Sequence, residues 1–343
     1  MKNWMYDGSS RVEPIISSRI RIARNLKNIS FPHKLNKEKA EEIIKEFENA
    51  FYVDDYMKKE YSTKRLWEEE ENKLLSFQEK HLISPKLVRS REKSAFIINR
   101  EETVSIMLNE EDHMRLQCIN SGFNLREAYT TADKIDTLLE DSLDYAFHEE
   151  LGYLTSCPTN IGTGLRASVM VHLPALTINK EITQVLKALA QVGMTIRGIY
   201  GEGSGAEGNI YQISNQVTLG LSEGEIIENL ESAIGQILQQ ENRARGYLLN
   251  SYKYDMEDKI FRSLAILQSA RVLNSKESLE LLSNVRLGIE LDIIKGIDNS
   301  VINGLLVNSQ PATLQYNIGR ELTDREKDVE RAKFMRETLS NLI

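Results

Sequence analysis

The chain changes its periodicity once, near Gly246, and that change limits what it can fold into. Before it, short stretches alternate apolar and polar residues, as strands do when side chains point to opposite faces. From there to Ile343 only helical periods remain. The pattern predicts an α+β region over 1–246 followed by an all-helical region over 255–343, with the boundary at 247–255. Residues 36–49 read as a solvated amphipathic helix, 53–80 as charged, irregular and loosely packed, and 124–149 and 179–192 as further helices. Ser222 with Glu225 forms a capping-box pair that opens a helix expected to run to Arg245 and stop at Gly246. Asn274 with Glu277 and Thr323 with Glu326 open two later helices in the same way.

A length of 343 residues suits two domains, and 41% hydrophobic with 27% charged residues is ordinary globular usage. A formal net charge of −8 lacks the basic footprint of a nucleic-acid binder. Cys118 and Cys157 are too few for a disulfide framework, which points to a reducing compartment. The start, MKNWMYDGSS, has no apolar signal-like core, and no stretch reaches the roughly 20 apolar residues of a membrane span. A soluble cytoplasmic protein is expected.

Arginine is concentrated where strands are expected. In SSRIRIARN, Ser18, Ile20 and Ile22 share one face, while Ser17, Arg19 and Arg21 share the other. Two guanidiniums on one open face repel each other unless an anion lies between them. In TVSIMLNEEDHMRLQC, Val104, Ile106, Leu108, Met114 and Leu116 keep one parity and Asn109, Glu111, His113 and Arg115 the other. Read as one unbroken strand, this puts Glu111 and Arg115 on one surface, with Glu110 and Asp112 beside it. In the stretch ending LRASVMVHLP, Arg166, Ser168, Met170 and His172 oppose Ala167, Val169, Val171 and Leu173. Gly162 and Gly164 just before it allow close backbone approach to a ligand. A lone cysteine such as Cys157 is more often filler than reagent. The glycine-rich RGIYGEGSGAEGN reads as a lid carrying Glu202, since no P-loop sequence occurs in the chain.

Arginines on separated strands (19, 21, 115, 166, 197) with two isolated carboxylates (111, 202) fit phosphoryl transfer to a cationic acceptor. Guanidinium forks bind phosphate oxygens, and carboxylates can hold a guanidinium in line and take its proton. The VAIK, HRD and DFG elements of hydroxyl-directed protein kinases are missing.

The segments SSRIRIARN, NEEDHMR, SCPTNIGTGLRASV and RGIYGEGSGAEGNIYQISN, in this order, resemble the catalytic domain of the phosphagen (guanidino) kinases, over roughly residues 14–246. The likeness is greatest to the bacterial branch that phosphorylates arginine within proteins. It implies a mainly antiparallel sheet flanked by helices, with ATP and Mg²⁺ on the concave side and the metal held through nucleotide phosphates. By this resemblance the ATP-binding positions are Ser17, Ser18, Arg19, Ile20, Arg21, His81, Arg115, Arg166, Ala167, Ser168, Val169, Met170, Arg197, Gly198, Ile199, Tyr200 and Gly201. Glu111 and Glu202 would grip the guanidinium, with Glu111 the base, and Cys157 would tune the site. Small-molecule members carry a helical domain ahead of this region; here the first arginine motif comes almost at once, which favours a protein-borne acceptor. Gly203 stands where those relatives commonly have a histidine.

In the helical region KDVERA resembles the branch's R-D-x-x-R-A motif, which implies phosphoarginine recognition by Lys327, Asp328, Arg331 and Ala332. The resemblance also implies protein substrates presenting arginine, an activator protein, a stress-gene repressor and a Clp-type unfoldase–protease that receives marked proteins. A homodimer through the helical region is expected. The alternatives are a small-guanidine kinase and a non-catalytic phosphoarginine-binding adaptor; retention of both carboxylates disfavours the adaptor.

Overall fold

A computed structural model describes residues 14–198 and 207–340. In chain order the α+β part contains β1 (Ile15–Arg24), α1 (Lys37–Phe51), α2 (Asp55–Glu60), β2 (Tyr61–Arg65), α3 (Glu71–Glu79), α4 (Pro85–Arg89), β3 (Ala95–Asn99), β4 (Val104–Leu108), β5 (Met114–Ser121), α5 (Leu125–Glu140), β6 (Phe147–His148), β7 (Gly152–Tyr153), β8 (Leu165–His172), α6 (Pro174–Ile178), α7 (Ile182–Gln191), β9 (Met194–Gly198), β10 (Ile210–Asn215) and α8 (Glu223–Ser251). The rest is helical: α9 (Lys253–Ser269), α10 (Ser275–Glu290), α11 (Asn299–Asn308), α12 (Pro311–Ile318) and α13 (Asp324–Ser340). The strands form an eight-stranded sheet in the order β2-β3-β4-β5-β1-β8-β10-β9, and β6 with β7 makes a separate hairpin. The pairs β1–β5, β2–β3, β3–β4 and β4–β5 are all antiparallel.

The chain divides into two compact units. The first holds Ser17–Ser168 and Ser214–Leu230. Its core is built from Ile20, Ile22, Phe96, Ile97, Ile106 and Leu116 on the strands, covered by α5 on β5 and by α1 on α5. Helix α1 starts at Asn36, whose side chain accepts the Lys39 amide at 2.9 Å, and buries Ala40, Ile43, Ile44 and Phe47 along one stripe.

The second unit holds Val169–Ile213 and the chain from Glu231 onward. Its centre is α10, buried almost all round from Ser278 to Ile289 and packed against α9 and α11. A side chain at Gly288 would meet Ile260 Cγ2 at 2.5 Å, so glycine lets α9 and α10 close up. Within this unit a charge cluster is sealed from solvent. The Glu290 carboxylate receives Arg245 Nη2 at 2.6 Å and Arg286 Nε at 2.7 Å, and lies 3.3 Å from His172 Nδ1. Arg245 Nε also bonds Glu241 at 2.8 Å, whose two oxygens accept the Ala175 and Leu176 amides at the start of α6. Two buried cations thus meet two buried anions, the balance such groups need in a dry interior.

Several local expectations change. Residues 53–80 are ordered: β2 is the outermost strand next to β3, and Leu66 and Leu74 are fully buried. The helix expected over 124–149 ends at Glu140. The Ser222–Glu225 capping box is present, with the Ser222 amide donating to Glu225 at 2.8 Å, but the helix it opens runs through Gly246 to Ser251. A side chain at Gly246 would meet nothing, so no packing marks that position as a stop. Among the described residues no strand follows Asn215.

Candidate active site

Strand alternation builds one basic face in the first unit. Ile20 and Ile22 of β1 are buried in the core, leaving Arg19 and Arg21 on the opposite, half-open side. Across the ladder Arg21 faces Gln117 and Ala23 faces Arg115. Opposed residues in an antiparallel pair share a side, so Arg115 joins Arg19 and Arg21 there. From β8, the Ser168 hydroxyl accepts Arg19 Nε at 3.4 Å, and Arg166, two residues earlier, donates to the Ser214 hydroxyl at 3.2 and 3.3 Å. Four guanidiniums from three strands therefore cover one surface.

The segment expected as one long strand is a hairpin. β4 ends at Leu108, residues 109–113 turn, and β5 begins at Met114. Asn109 adopts φ +57° at the turn, and its side chain donates to Ala40 O at 2.9 Å. The turn rearranges the acids. Glu110, not Glu111, is the partner of Arg115: Nη1 sits 3.0 Å from both of its carboxylate oxygens. Burial would raise the Glu110 carboxyl, but Arg115 and the Ser84 hydroxyl outweigh it and hold it below the usual range. Glu111 is displayed instead, part exposed, 2.9 Å from the Lys86 ammonium. His113 does not face the site. It is fully buried, accepting the Leu26 amide on Nδ1 at 3.0 Å, while Nε2 lies 2.9 Å from Ser30 O; burial keeps its imidazole neutral by lowering its pKa.

Asp112 ties this turn to the loop of Cys157. Its Oδ1 accepts the Ser156 amide at 2.6 Å and Asn25 Nδ2 at 2.7 Å. Asn25 returns the link by accepting the His113 amide at 2.9 Å. Cys157 is half-buried, its Sγ 3.0 Å from the Thr159 hydroxyl. Farther along, Gly162 has φ +111°, and a Cβ there would lie 2.2 Å from Thr218 O; only glycine lets these two backbones touch.

His81 covers the same face. Gln117, opposite Arg21, donates to His81 O at 2.7 Å. Burial and the Arg19 guanidinium push the His81 imidazole down to about 3, so it is neutral at physiological pH.

The other expected positions distribute as follows. Ser17 is buried at the start of the arginine face. The Ser18 hydroxyl is consumed by the fold, donating to Gly122 O at 2.8 Å and accepting the Asn124 amide at 2.9 Å. Ile20 and Ala167 turn their side chains into the core. In the second unit Val169 and Met170 are buried, and Arg197 with Gly198 ends β9. Ile199, Tyr200, Gly201 and Glu202 lie outside the described residues.

The KDVERA group is not an open surface cluster. Asp328 and Arg331 pair at 2.7 Å, as their spacing suggests. Arg331, however, is 1% exposed and spends Nε on Ser309 O and Nη1 on Leu273 O, both at 2.8 Å. Ala332 is fully buried beneath it, and Lys327 turns back to Asp324 at 3.4 Å. In this geometry Arg331 cross-links α13 to two loops. The sequence marks Glu110 and Asp112, among three successive acids, only as negative charge beside the surface, and carries no signal that singles out Lys86 or Asn25.

Comparison with known proteins identifies the family. Residues 40–244 match the family model for the ATP:guanido phosphotransferase C-terminal catalytic domain, and residues 253–343 match that for the protein-arginine kinase McsB C-terminal domain. The chain is 55% identical over 342 residues to a protein-arginine kinase of Clostridium kluyveri, covering 99% of each chain. It is 52% identical to that of Clostridium novyi, covering 100% of this chain and 99% of the relative. Among solved structures, lombricine kinase matches with a TM-score of 0.57 at 26% identity over 66% of each chain. With a basic face, a displayed carboxylate and both family models in sequence, the chain belongs to the ATP:guanido phosphotransferase family, in its protein-arginine kinase branch.

Proposed function

We propose that this chain transfers the γ-phosphoryl group of ATP, in line, to guanidinium nitrogens of arginine residues in proteins. The carrying observation is the face on which Arg19, Arg21, Arg115 and Arg166 converge from β1, β5 and β8, with the Glu111 carboxylate on the turn that leads into it. Guanidinium forks suit a polyphosphate and neutralise charge on the moving group. The acceptor nitrogen forms a bond to phosphorus as the bridging oxygen leaves with ADP, and the proton lost from nitrogen goes to Glu111. Glu110 keeps Arg115 aimed, which leaves Glu111 available for the acceptor. The family's phosphoryl donor is ATP, and the family resemblance implies a divalent metal with it. Mg²⁺ fits the phosphate oxygens and water rather than a protein cage, because guanidiniums dominate this face and no cluster of three or more His, Cys, Asp or Glu able to hold a metal occurs among the described residues.

Labelled ATP incubated with an arginine-rich protein tests the reading. Protein-bound phosphate that acid removes, with no comparable transfer to free arginine or creatine, supports it. Acid-stable product, or transfer only to the free guanidines, contradicts it. The expected partners (an activator, a stress-gene repressor and a Clp-type unfoldase–protease), a stress-response role, the homodimer and the cytoplasmic location rest on the family resemblance and belong to the same proposal. So does phosphoarginine binding by the helical region.

A further inference from the structure

On the first unit, a groove of about 360 Å³ opens between the β6–β7 hairpin, Gly162–Thr163 and residues 218–223. Its walls carry apolar side chains that the fold leaves in water: Phe147 is 57% exposed, Leu151 41% and Leu219 48%. Contiguous exposed apolar surface of this kind marks an interaction site. Its floor is tied by hydrogen bonds to residues 159–162. Tyr153 donates its amide to Gly162 O at 2.8 Å, and the Thr218 hydroxyl bonds Thr159 O at 3.0 Å and Ile161 O at 2.7 Å. The loop so pinned is the one that carries Cys157.

The groove's charge is one-sided. From Ile135 to Leu165 the chain has no lysine or arginine, and Glu140, Asp141, Asp144, Glu149 and Glu150 are all exposed. Asp144 lies 3.8 Å from Lys27, and Glu140 accepts the Tyr153 hydroxyl at 3.1 Å; Glu149 and Glu150 stand at the hairpin tip beside Phe147 and Leu151. An apolar trough with an acidic rim complements a cationic, partly apolar chain.

We infer that this groove binds the residues flanking the target arginine, taking an extended polypeptide segment with basic and apolar side chains. The inference rests on the reading that the acceptor is an arginine within a protein. It makes the β6–β7 hairpin a specificity element: the active site takes the guanidinium, and the groove takes the chain on either side of it.

Two substrates separate the groove from the chemistry: N-acetylarginine amide, and a peptide with one arginine between lysines and leucines. In the full-length Glu149→Lys/Glu150→Lys variant, KM for the peptide should rise about tenfold or more, with kcat and the N-acetylarginine amide kinetics unchanged. Phe147→Ser should raise the peptide KM several-fold. An unchanged peptide KM, or equal losses on both substrates, overturns the inference. Fluorescence anisotropy with a labelled peptide bearing citrulline in place of arginine reads binding without transfer. Binding to wild type that the charge reversal abolishes supports the groove, and absent or unaffected binding rejects it. If the peptide binds but no substrate is phosphorylated, the functional reading fails and the groove stands. A lower oligomeric mass in Phe147→Ser would assign the groove to a second copy of the chain and overturn the inference.

Discussion

Asp112 Oδ1 accepts the Ser156 amide at 2.6 Å, so the turn that displays Glu111 and the loop that displays Cys157 are held as one body. The same oxygen takes Asn25 Nδ2, which fixes that body to the end of β1 behind the arginine face. Burial raises the Asp112 carboxyl, and the two donors it receives pull the other way. Asp112→Ala should leave two donors without an acceptor, costing about 1–3 kcal/mol each where buried, and should lower kcat by roughly 100-fold through misplacement. Asp112→Asn keeps an acceptor oxygen and should lose much less. Steady-state kinetics with ADP affinity as a control checks this; equal activity in wild type and Asp112→Ala would remove the link from the account.

Glu290 is the hub of the second unit's buried charges. Glu290→Gln leaves Arg245 and Arg286 facing each other with one anion fewer, and should cost about 3–5 kcal/mol of stability. Thermal or denaturant unfolding measures it, and a loss below about 1 kcal/mol would mean that the cluster is not dry.

The same cluster sets an acid sensitivity. Burial pushes the His172 imidazole below its ordinary 6.5, so below that pH the unfolded chain binds a proton that the folded chain does not, and acid destabilises. Burial alone would raise the Glu290 carboxyl, but Arg286 and Arg245 bring it to about 2 against an ordinary 4.5. Its contribution is complete above 4.5 and is lost as pH falls toward 2. Both groups act in one direction. Tm should fall from about pH 7 to about pH 5, and His172→Gln should flatten that part of the curve. A Tm that rises on acidification in wild type contradicts this sign.

Arg331 is a structural cross-link in this geometry, and its removal should behave accordingly. Arg331→Ala leaves Ser309 O, Leu273 O and the Asp328 carboxylate without their donor, at a cost of about 3 kcal/mol or more. Lys327→Ala, at a surface pair, should change stability by less than about 0.5 kcal/mol. Denaturant midpoints separate the two, and a fully stable Arg331→Ala protein would show that the guanidinium is held in reserve for a ligand.

What the sequence revealed was what depends on neighbours along the chain. The parity of Arg19 and Arg21 and the caps at Ser222, Asn274 and Thr323 follow from local backbone geometry, and all are present. The hairpin at 109–113 was hidden by arithmetic. Leu108 and Met114 are an even number of residues apart, so alternation counted through the turn gives the same parity as an unbroken strand. The exchange of Glu111 for Glu110 as the partner of Arg115 follows from that turn alone. β2 was missed because its half-exposed, polar residues lack the apolar alternation that marks a strand. The burial of Arg331 depends on carbonyls at 273 and 309, distant in sequence, and no local pattern announces them.

The most direct test is single-turnover transfer by Glu111→Gln, with nucleotide affinity measured on the same sample. The Glu111 side chain is part exposed, and its ion pair with Lys86 is partly solvated. Transfer of labelled phosphate from ATP to protein arginine should fall by about 100-fold or more, the scale of a lost general base, while ADP binds as in wild type. Undiminished transfer in this variant, or a loss matched by lost ADP binding, would contradict the role given to Glu111.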